Sequence, residues 1–501
     1  MRTVMRRFLV TRCMKLRVKT LVVTICCCLL IAYVMCEYVS SFIWKRENYN
    51  QSLPDQVSAS ETPEATDYDL HWMPKEHVFV KRVKTIGKHR NEQVIPSKSR
   101  DVECDGFTSG SQTGSTFANV TDKMFIYSVF YDGRLPKPYL RMIGTYKSEP
   151  EIKYMSELKC VFEISGGLSS SSTYLAYRNI TFYEMCENHK RSYGGWILSC
   201  EVPLAMSSKP TSVRIIQGSR MSSATHYSEL CVKSSVKNVE TRKLNHGVCI
   251  PPIFGNIKPK DVLEFIELNR LLGAEKFMFY LEISDKSVSS GVLRVLEYYQ
   301  SIRVVHIHTW ELPFERSQIW YHGQSLAIND CLYRYMNDFH HLTFVDLDEF
   351  IIPKGDLRSW GDMLPDLKKQ SEELYAKASA FSFKTAFFSP EFSRHVYSNE
   401  LNTVIRVNRT FHFSYRRHKL MVLPERVFEL GIHHVSRAWP DGEQFRVVHV
   451  PLETAFVHHY RACVQEFGIH CNARSEDSTV LNIFGTQLQY NVLKIMSDIT
   501  F

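Results

Sequence analysis

Asp346 and Asp348 lie one residue apart in Phe344-Val345-Asp346-Leu347-Asp348-Glu349-Phe350, with Ile351-Ile352-Pro353 following. An apolar strand that ends in Asp-x-Asp sets acidic oxygens at the edge of a buried sheet. Carboxylate oxygens suit a hard divalent cation, and such a cation commonly bridges protein carboxylates and substrate phosphates. The plain competitor is a solvated acidic turn after a strand. Other residues of suitable type lie further on. Gly431-Ile432-His433-His434-Val435 sets two imidazoles among apolar residues, and neutral imidazole is a further ligand for manganese. Neighbouring side chains on an extended segment point to opposite sides, so one of the two faces the site; His433 is the candidate. His458-His459 competes for that role. Tyr415-Arg416-Arg417-His418-Lys419 is a basic cluster, with Lys419 the candidate diphosphate contact against a reading as a solvated loop. Trp320, His322 and Gln324, just before Asp330-Cys331, are candidates for holding a sugar or base, or for capping a sheet.

These groups need a frame. From about His246 the pattern alternates. Strands are expected at Val248–Ile250, Lys276–Leu281, Arg303–His308 and Leu342–Val345, and helices at Asp261–Leu272, Gly291–Tyr299 and Gln324–Tyr335. That alternation predicts a mostly parallel α/β sheet, with the ligand site outside the carboxyl ends of its strands. Asp346 and Asp348 fall at such an end. The chain has no Gly-x-Gly-x-x-Gly and no Walker-type Gly-Lys-Ser/Thr, which argues against a dinucleotide or P-loop site. Residues 101–240 read as a β-rich accessory domain. Its strands are expected at Lys123–Tyr131, Tyr139–Tyr146, Lys159–Ile164, Trp196–Val202 and Thr211–Gln217, and it carries no catalytic constellation of its own.

The N-terminus differs from the rest. Arg2, Arg6, Arg7, Arg12, Lys15, Arg17 and Lys19 precede an apolar run that starts at Leu21. Residues 20–44 are long enough to span a bilayer as a helix. The basic flank keeps 1–19 cytosolic and sends the remainder across as an uncleaved signal anchor. Residues 45–100, polar and aperiodic, read as a stem. Those seven basic residues account for most of the net charge of +8, leaving the rest close to neutral. With no basic stripe, nucleic acid is not an expected partner.

Of 14 cysteines, nine lie beyond the span. In an oxidising lumen they would pair as disulfides, and an odd count leaves at least one over. Cys331, inside an apolar helical pattern, is the candidate free thiol. Sequons at Asn50, Asn119, Asn179 and Asn408 all lie on the same side of the span.

A lumenal α/β domain on an anchor and stem, with Asp-x-Asp after a strand, points to nucleotide-sugar-dependent glycosyl transfer. A nucleoside diphosphate leaves as a multiply charged anion, and a cation held by carboxylates neutralises that charge as it develops. Val248-Cys249-Ile250-Pro251-Pro252-Ile253-Phe254-Gly255-Asn256, Phe265–Asn269, Trp320–Gln324, Asp330–Leu332, Asp346–Phe350 with Pro353, and Pro424–His434 resemble glycosyltransferase family 92. The likeness is strong over about residues 246–462. It extends loosely to Tyr127-Ser128 and Asp132-Gly133-Arg134.

The resemblance implies a GT-A type catalytic domain, bounded here as 241–485. It also implies a UDP-sugar donor, most readily UDP-galactose, with Mn2+ on Asp346, Asp348 and His433, and Asp346 alternatively facing the ribose. The expected protein is an inverting galactosyltransferase of the Golgi membrane, single-pass and type II, with its catalytic domain lumenal. Its acceptor would be a glycan on a glycoprotein, such as core fucose of N-glycans. An inverting reaction needs a general base; Glu391 and Asp441 are the candidates carried forward, with Glu425 and Glu429 also considered. The competing expectations are a transferase of another UDP-sugar and a catalytically inactive lumenal glycan-binding relative.

Overall fold

The computed structural model describes residues 116–499 except 148–151, 166–172, 207, 222–223, 225, 234–242, 283–287, 394–399, 441–443 and 466–468. The expected tail, span and stem lie outside the described residues, as do Asn50 and Asp441. Among the described residues no helix is long and apolar enough to cross a membrane. Asn119 and Asn179 are exposed and Asn408 is half-buried.

Two sheets organise the described residues. The first runs Thr173–Asn179, Leu158–Ser165, Ser212–Gln217, His226–Lys233, Met124–Asp132, Tyr139–Lys147, Tyr193–Glu201, Thr181–Glu184, with Ala118–Thr121 paired to Met124–Asp132. Its pairings are antiparallel apart from Met124–Asp132 with His226–Lys233. Cys160 and Cys200 form a disulfide within it.

The second sheet runs Val305–Thr309, Lys276–Leu281, Leu244–Ile253, Phe339–Phe344, Ser414–Val422, Ala378–Phe387, Ala455–His459, Glu349–Pro353. Its first four strands are parallel, joined through the helices Pro259–Leu271, Ser290–Ser301 and Gln324–Tyr335 as the alternation requires. The other half departs from the expected mostly parallel sheet. Ser414–Val422 pairs antiparallel with both its neighbours, and Glu349–Pro353 antiparallel with Ala455–His459. Antiparallel neighbours need no helical crossover, and the described residues between Ala378–Phe387 and Ser414–Val422 form short elements, the turn Pro390–Phe392, the four-residue helix Asn402–Ile405 and the strand Asn408–Thr410. The last helix, Thr479–Asp498, continues past the expected boundary at 485 because Leu488, Val492 and Ile495 are buried in the core.

The helix Gln324–Tyr335 packs against strands of both sheets, and Gln324 through Tyr333 are all buried. A helix buried all round must satisfy its own polar groups. Asn329 exchanges two hydrogen bonds of 2.9 Å with the Leu430 backbone. Asp330, with no exposed surface, accepts from Ser128 of the first sheet and from Tyr280 of the second, and pairs with Arg334 at 2.8 Å. Asp132-Gly133-Arg134 works as a clip. Asp132 pairs with Arg134 at 2.8 Å and Arg141 at 2.9 Å, while Arg134 reaches the Val427 carbonyl at 2.7 Å. One apolar cluster runs through both sheets, from Phe117, Tyr127 and Ile197 to Trp310, Leu326 and Val422.

Cys331 is not a free thiol. It bonds to Cys249 across 82 residues of sequence, pinning the helix to the strand Leu244–Ile253. Cys463 bonds to Cys471, and Cys231 is disulfide-bonded. Among the described residues the free cysteine is Cys186. Replacing Cys249 and Cys331 together by Ala is expected to lower unfolding stability by about 2–4 kcal/mol. Urea midpoints of wild type and variant under oxidising conditions check this; coincident midpoints would mean the bridge contributes nothing.

Candidate functional site

Phe339–Phe344 stops two residues before Asp346, and the next strand begins at Glu349, so both aspartates stand on the short connection between them. The Asp346 N–H donates to Glu349 Oε2 at 2.9 Å, and the Glu349 N–H to the Asp346 carbonyl at 3.1 Å. This turn sorts three acidic side chains. Asp346 and Asp348 keep 36% and 42% of their side-chain surface exposed, whereas Glu349 keeps 2% and points into the fold.

Lys419 holds the buried side of the turn. Its Nζ lies 3.0 Å from Asp346 Oδ2 and 2.9 Å from Glu349 Oε2. Burial disfavours its charge, but Asp346 and Glu349 outweigh burial and raise its pKa. The expected diphosphate contact is thus an enclosed anchor for Asp346, committed to carboxylates. On the other side, His459 Nε2 lies 3.3 Å from Asp348 Oδ1, and its Nδ1 3.4 Å from Glu349 Oε1. Burial works against ionisation of Asp348, but the adjacent His459 ring and Arg461 outweigh it and hold the carboxyl below its ordinary range.

His433 is turned to other partners. Its Nδ1 lies 2.8 Å from the His418 carbonyl, which makes that nitrogen the donor. Nε2 then accepts from Arg417 Nη1 at 2.9 Å. Burial, with Lys419 and Arg417 nearby, lowers its pKa to about 3. The ring is neutral, as a ligand must be, but its lone pair faces a guanidinium. Among the described residues no group of three or more His, Cys, Asp or Glu side chains is placed to hold a metal, so His433 forms no ready trio with the two aspartates. His458 points away, 3.7 Å from Asp477.

Trp320-Tyr321-His322-Gly323-Gln324 forms the opposite wall. Tyr321, His322 and Gly323 are left-handed in succession, with φ of 45°, 57° and 79°. Non-glycine residues enter that region uncommonly, and strain of this kind concentrates at functional sites. Here it is held in place. The His322 ring stacks on Phe254 at 3.8 Å, its carbonyl accepts from Trp310 Nε1 at 2.8 Å, and a Cβ on Gly323 would lie 3.2 Å from the Trp310 ring. The turn delivers the Gln324 amide to 3.4 Å from Asp346 Oδ1 and leaves Tyr321 49% exposed at the rim. The Trp320 ring lies tilted against His189, on the connection between the first-sheet strands Thr181–Glu184 and Tyr193–Glu201, with centroids 4.1 Å apart.

Asp346 and Asp348 line a pocket of about 370 Å³ at the carboxyl ends of Leu244–Ile253 and Phe339–Phe344, where an α/β sheet holds its ligand. Pro251, Pro252, Phe254, Tyr321, Phe350 and Tyr460 give it apolar walls. Its charged lining is Asp261, Glu264, Asp346 and Asp348 against Arg461. Burial raises the pKa of Asp261 and of Glu264, whose oxygens accept from the backbone N–H groups of Asn402 and Thr403.

The base candidates do not gather here. Glu391 is exposed on the turn Pro390–Phe392 and is absent from the pocket lining. Asp441 lies outside the described residues. Glu425 pairs with Lys243, and Glu429 is buried, accepting from Tyr183 OH at 2.7 Å and the Cys186 N–H at 2.9 Å. Tyr321, an aromatic of the tract expected to hold a sugar or base, does reach the pocket, whereas Arg461, Asp261 and Glu264 were not anticipated, since they come to it from distant segments.

Comparison with known proteins agrees with this architecture. The family model described as "Glycosyltransferase family 92" matches residues 245–493. The beta-1,4-galactosyltransferase galt-1 of Caenorhabditis elegans is 26% identical over 388 residues, covering 75% of this chain and 83% of that protein. The galactan beta-1,4-galactosyltransferase GALS3 of Arabidopsis thaliana is 24% identical over 245 residues, covering 48% of this chain and 46% of its own. Glycosyltransferase family 92 protein F13G3.3 of Caenorhabditis elegans is 26% identical over 117 residues, covering 21% and 22%.

Proposed function

The chain belongs to glycosyltransferase family 92 and is a glycosyltransferase, and from that premise we propose that it moves galactose from UDP-galactose, with inversion, to a glycan acceptor such as core fucose of N-glycans. The donor supplies an α-linked sugar, and the relatives are named for β-1,4 products, so the same outcome here requires inversion. A GT-A type catalytic domain facing the Golgi lumen, behind a single membrane span, completes the reading.

The observation that carries it is the charge of the pocket. Four carboxylates face one guanidinium in its lining, and an anionic diphosphate entering that space would be repelled. A divalent cation reverses the sign. Asp346 and Asp348 fit that duty: both are partly exposed and backed by Lys419 and His459. A hard cation of this class keeps waters and takes one or two carboxylates plus substrate phosphates, which matches a pair of aspartates without a third ligand. Mn2+ would supply charge neutralisation of the departing UDP. Lys419 and His459 fix the aspartate orientations, the role usual for groups behind a ligand. The apolar walls exclude water from the nucleotide, and Tyr321 and Gln324 border the sugar end.

The full chain in detergent, supplied with Mn2+ and a panel of UDP-hexoses, is expected to release UDP fastest from UDP-galactose. Faster release from another donor would rewrite the sugar. No release from any donor would support the inactive glycan-binding reading in its place.

A further inference from the structure

We infer that Tyr321 reads the donor sugar, its ring being the platform on which galactose stacks while still joined to the diphosphate. This rests on the transferase reading above and extends it from the metal side of the pocket to the choice of hexose.

The Tyr321 backbone is strained. Its φ of 45° and ψ of 52° are left-handed, and His322 follows at 57° and 24°. Such a backbone is costly for a bulky residue and persists only where its surroundings hold it, most often at a ligand site. Both neighbours are turned to protein. The Trp320 ring lies 4.1 Å from His189, with Arg191 5.5 Å over it. The His322 ring lies flat on Phe254 at 3.8 Å, and its Nδ1 is 3.5 Å from buried Glu282. Tyr321, between them, meets Phe254 edge-on at 5.1 Å and stays 49% exposed. The turn thus spends its strain on presenting one aromatic ring outward.

That ring lines the pocket beside Asp346, Asp348 and Arg461. Of the other aromatics in the lining, Phe350 and Tyr460 are buried, and Phe254 has one face covered by His322. Tyr321 stands at the Asp-x-Asp end. Three residues on, the same turn sets the Gln324 amide 3.4 Å from Asp346. Burial, and then Asp346, raise the pKa of the Tyr321 hydroxyl, with Arg461, Asp348 and Lys419 also felt. Asp261 and Glu264 form a separate set on the helix Pro259–Leu271, where Glu264 holds the backbone of Asn402 and Thr403. Carboxylates there would repel a phosphate and accept from the hydroxyls of a ribose, so that end suits the nucleoside. With the diphosphate on Asp346 and Asp348, the sugar it carries falls to Tyr321.

The chemistry favours one hexose. The axial 4-hydroxyl of galactose leaves one face of its ring presenting C–H bonds only. An aromatic face packs on such a surface while the phenol hydroxyl keeps its polar contacts. Glucose, with that hydroxyl equatorial, offers a smaller apolar face.

Tyr321→Asn in the full chain, in detergent with Mn2+, tests this. Asn enters the left-handed region more readily than most residues, so the turn is kept while the ring is lost. UDP release from UDP-galactose is expected to lose about 10- to 200-fold in kcat/KM, the scale set by a packed group in a specificity pocket. Release from UDP-glucose should fall less, narrowing the ratio between the donors, with UDP affinity and melting temperature unchanged. Tyr321→Phe keeps the ring and should stay within about three-fold of wild type for both donors, well inside that loss. An unchanged donor ratio in Tyr321→Asn would overturn the assignment. So would a fall in UDP affinity matching the fall in kcat/KM, which would put the ring against the nucleotide. Equal losses in the Phe and Asn variants would also overturn it, giving the role to the hydroxyl. A wild-type chain that binds no UDP and consumes no UDP-hexose would overturn the transferase reading itself, and this assignment with it.

Discussion

Asp348→Asn is expected to cut sugar transfer by about 10²–10³-fold, the scale found when one preorganised electrostatic stabiliser is removed from a leaving-group site. The substitution keeps the volume and removes the charge. Asp348 is 42% exposed, so the fold should tolerate the change with its melting temperature intact. The informative readout is linkage to metal. UDP affinity should fall in the variant when Mn2+ is present and match wild type when it is chelated. Equal Mn2+ dependence in both proteins would remove Asp348 from the cation site.

Lys419→Met is expected to destabilise the chain by about 3–5 kcal/mol, the cost of breaking a buried ion pair by removing one partner. Met roughly matches the aliphatic volume, so the change isolates charge. What remains is Glu349, with 2% of its side chain exposed, and Asp346 without its anchor. The raised pKa of Lys419 sets the sign: its contribution is fully present below the unfolded value of about 10.4 and is lost only as pH rises through the higher folded value. The deficit should therefore appear undiminished at pH 7. Adding Glu349→Gln to Lys419→Met should recover part of it, because the stranded carboxylate is gone. A urea midpoint unmoved by Lys419→Met would show that the cation is replaceable by packing alone. Activity should fall together with stability, since the same ammonium orients Asp346.

Local features were legible before the fold. The helix Gln324–Tyr335 and the strand Lys276–Leu281 lie where the periodicity put them, because apolar spacing reports burial directly. Asp346 and Asp348 could be located because an apolar strand announces its own end. What stayed hidden was pairing at a distance. Cys331 looks like a packed apolar residue in its helix, and nothing local reveals Cys249, 82 positions away. His433 and His459 are alike in sequence, each the neighbour of another histidine among apolar residues. Only the register that sets Glu349 opposite His459 brings the second ring to Asp348. The left-handed run at Tyr321 and His322 was equally silent, since His enters that region more often than most residues but Tyr does not, and nothing local calls for two in succession.

Asp330 has a consequence for how such a protein can be inherited. Its buried carboxylate draws one donor from each sheet, and neither sheet can satisfy it alone. A gene fragment cut at the boundary between the sheets would encode an acid stripped of Ser128 and an apolar cluster opened along its length. The transferase half is therefore not a cassette. Recombination can exchange this enzyme's specificity only by carrying both sheets together, or by changing loops within an inseparable pair.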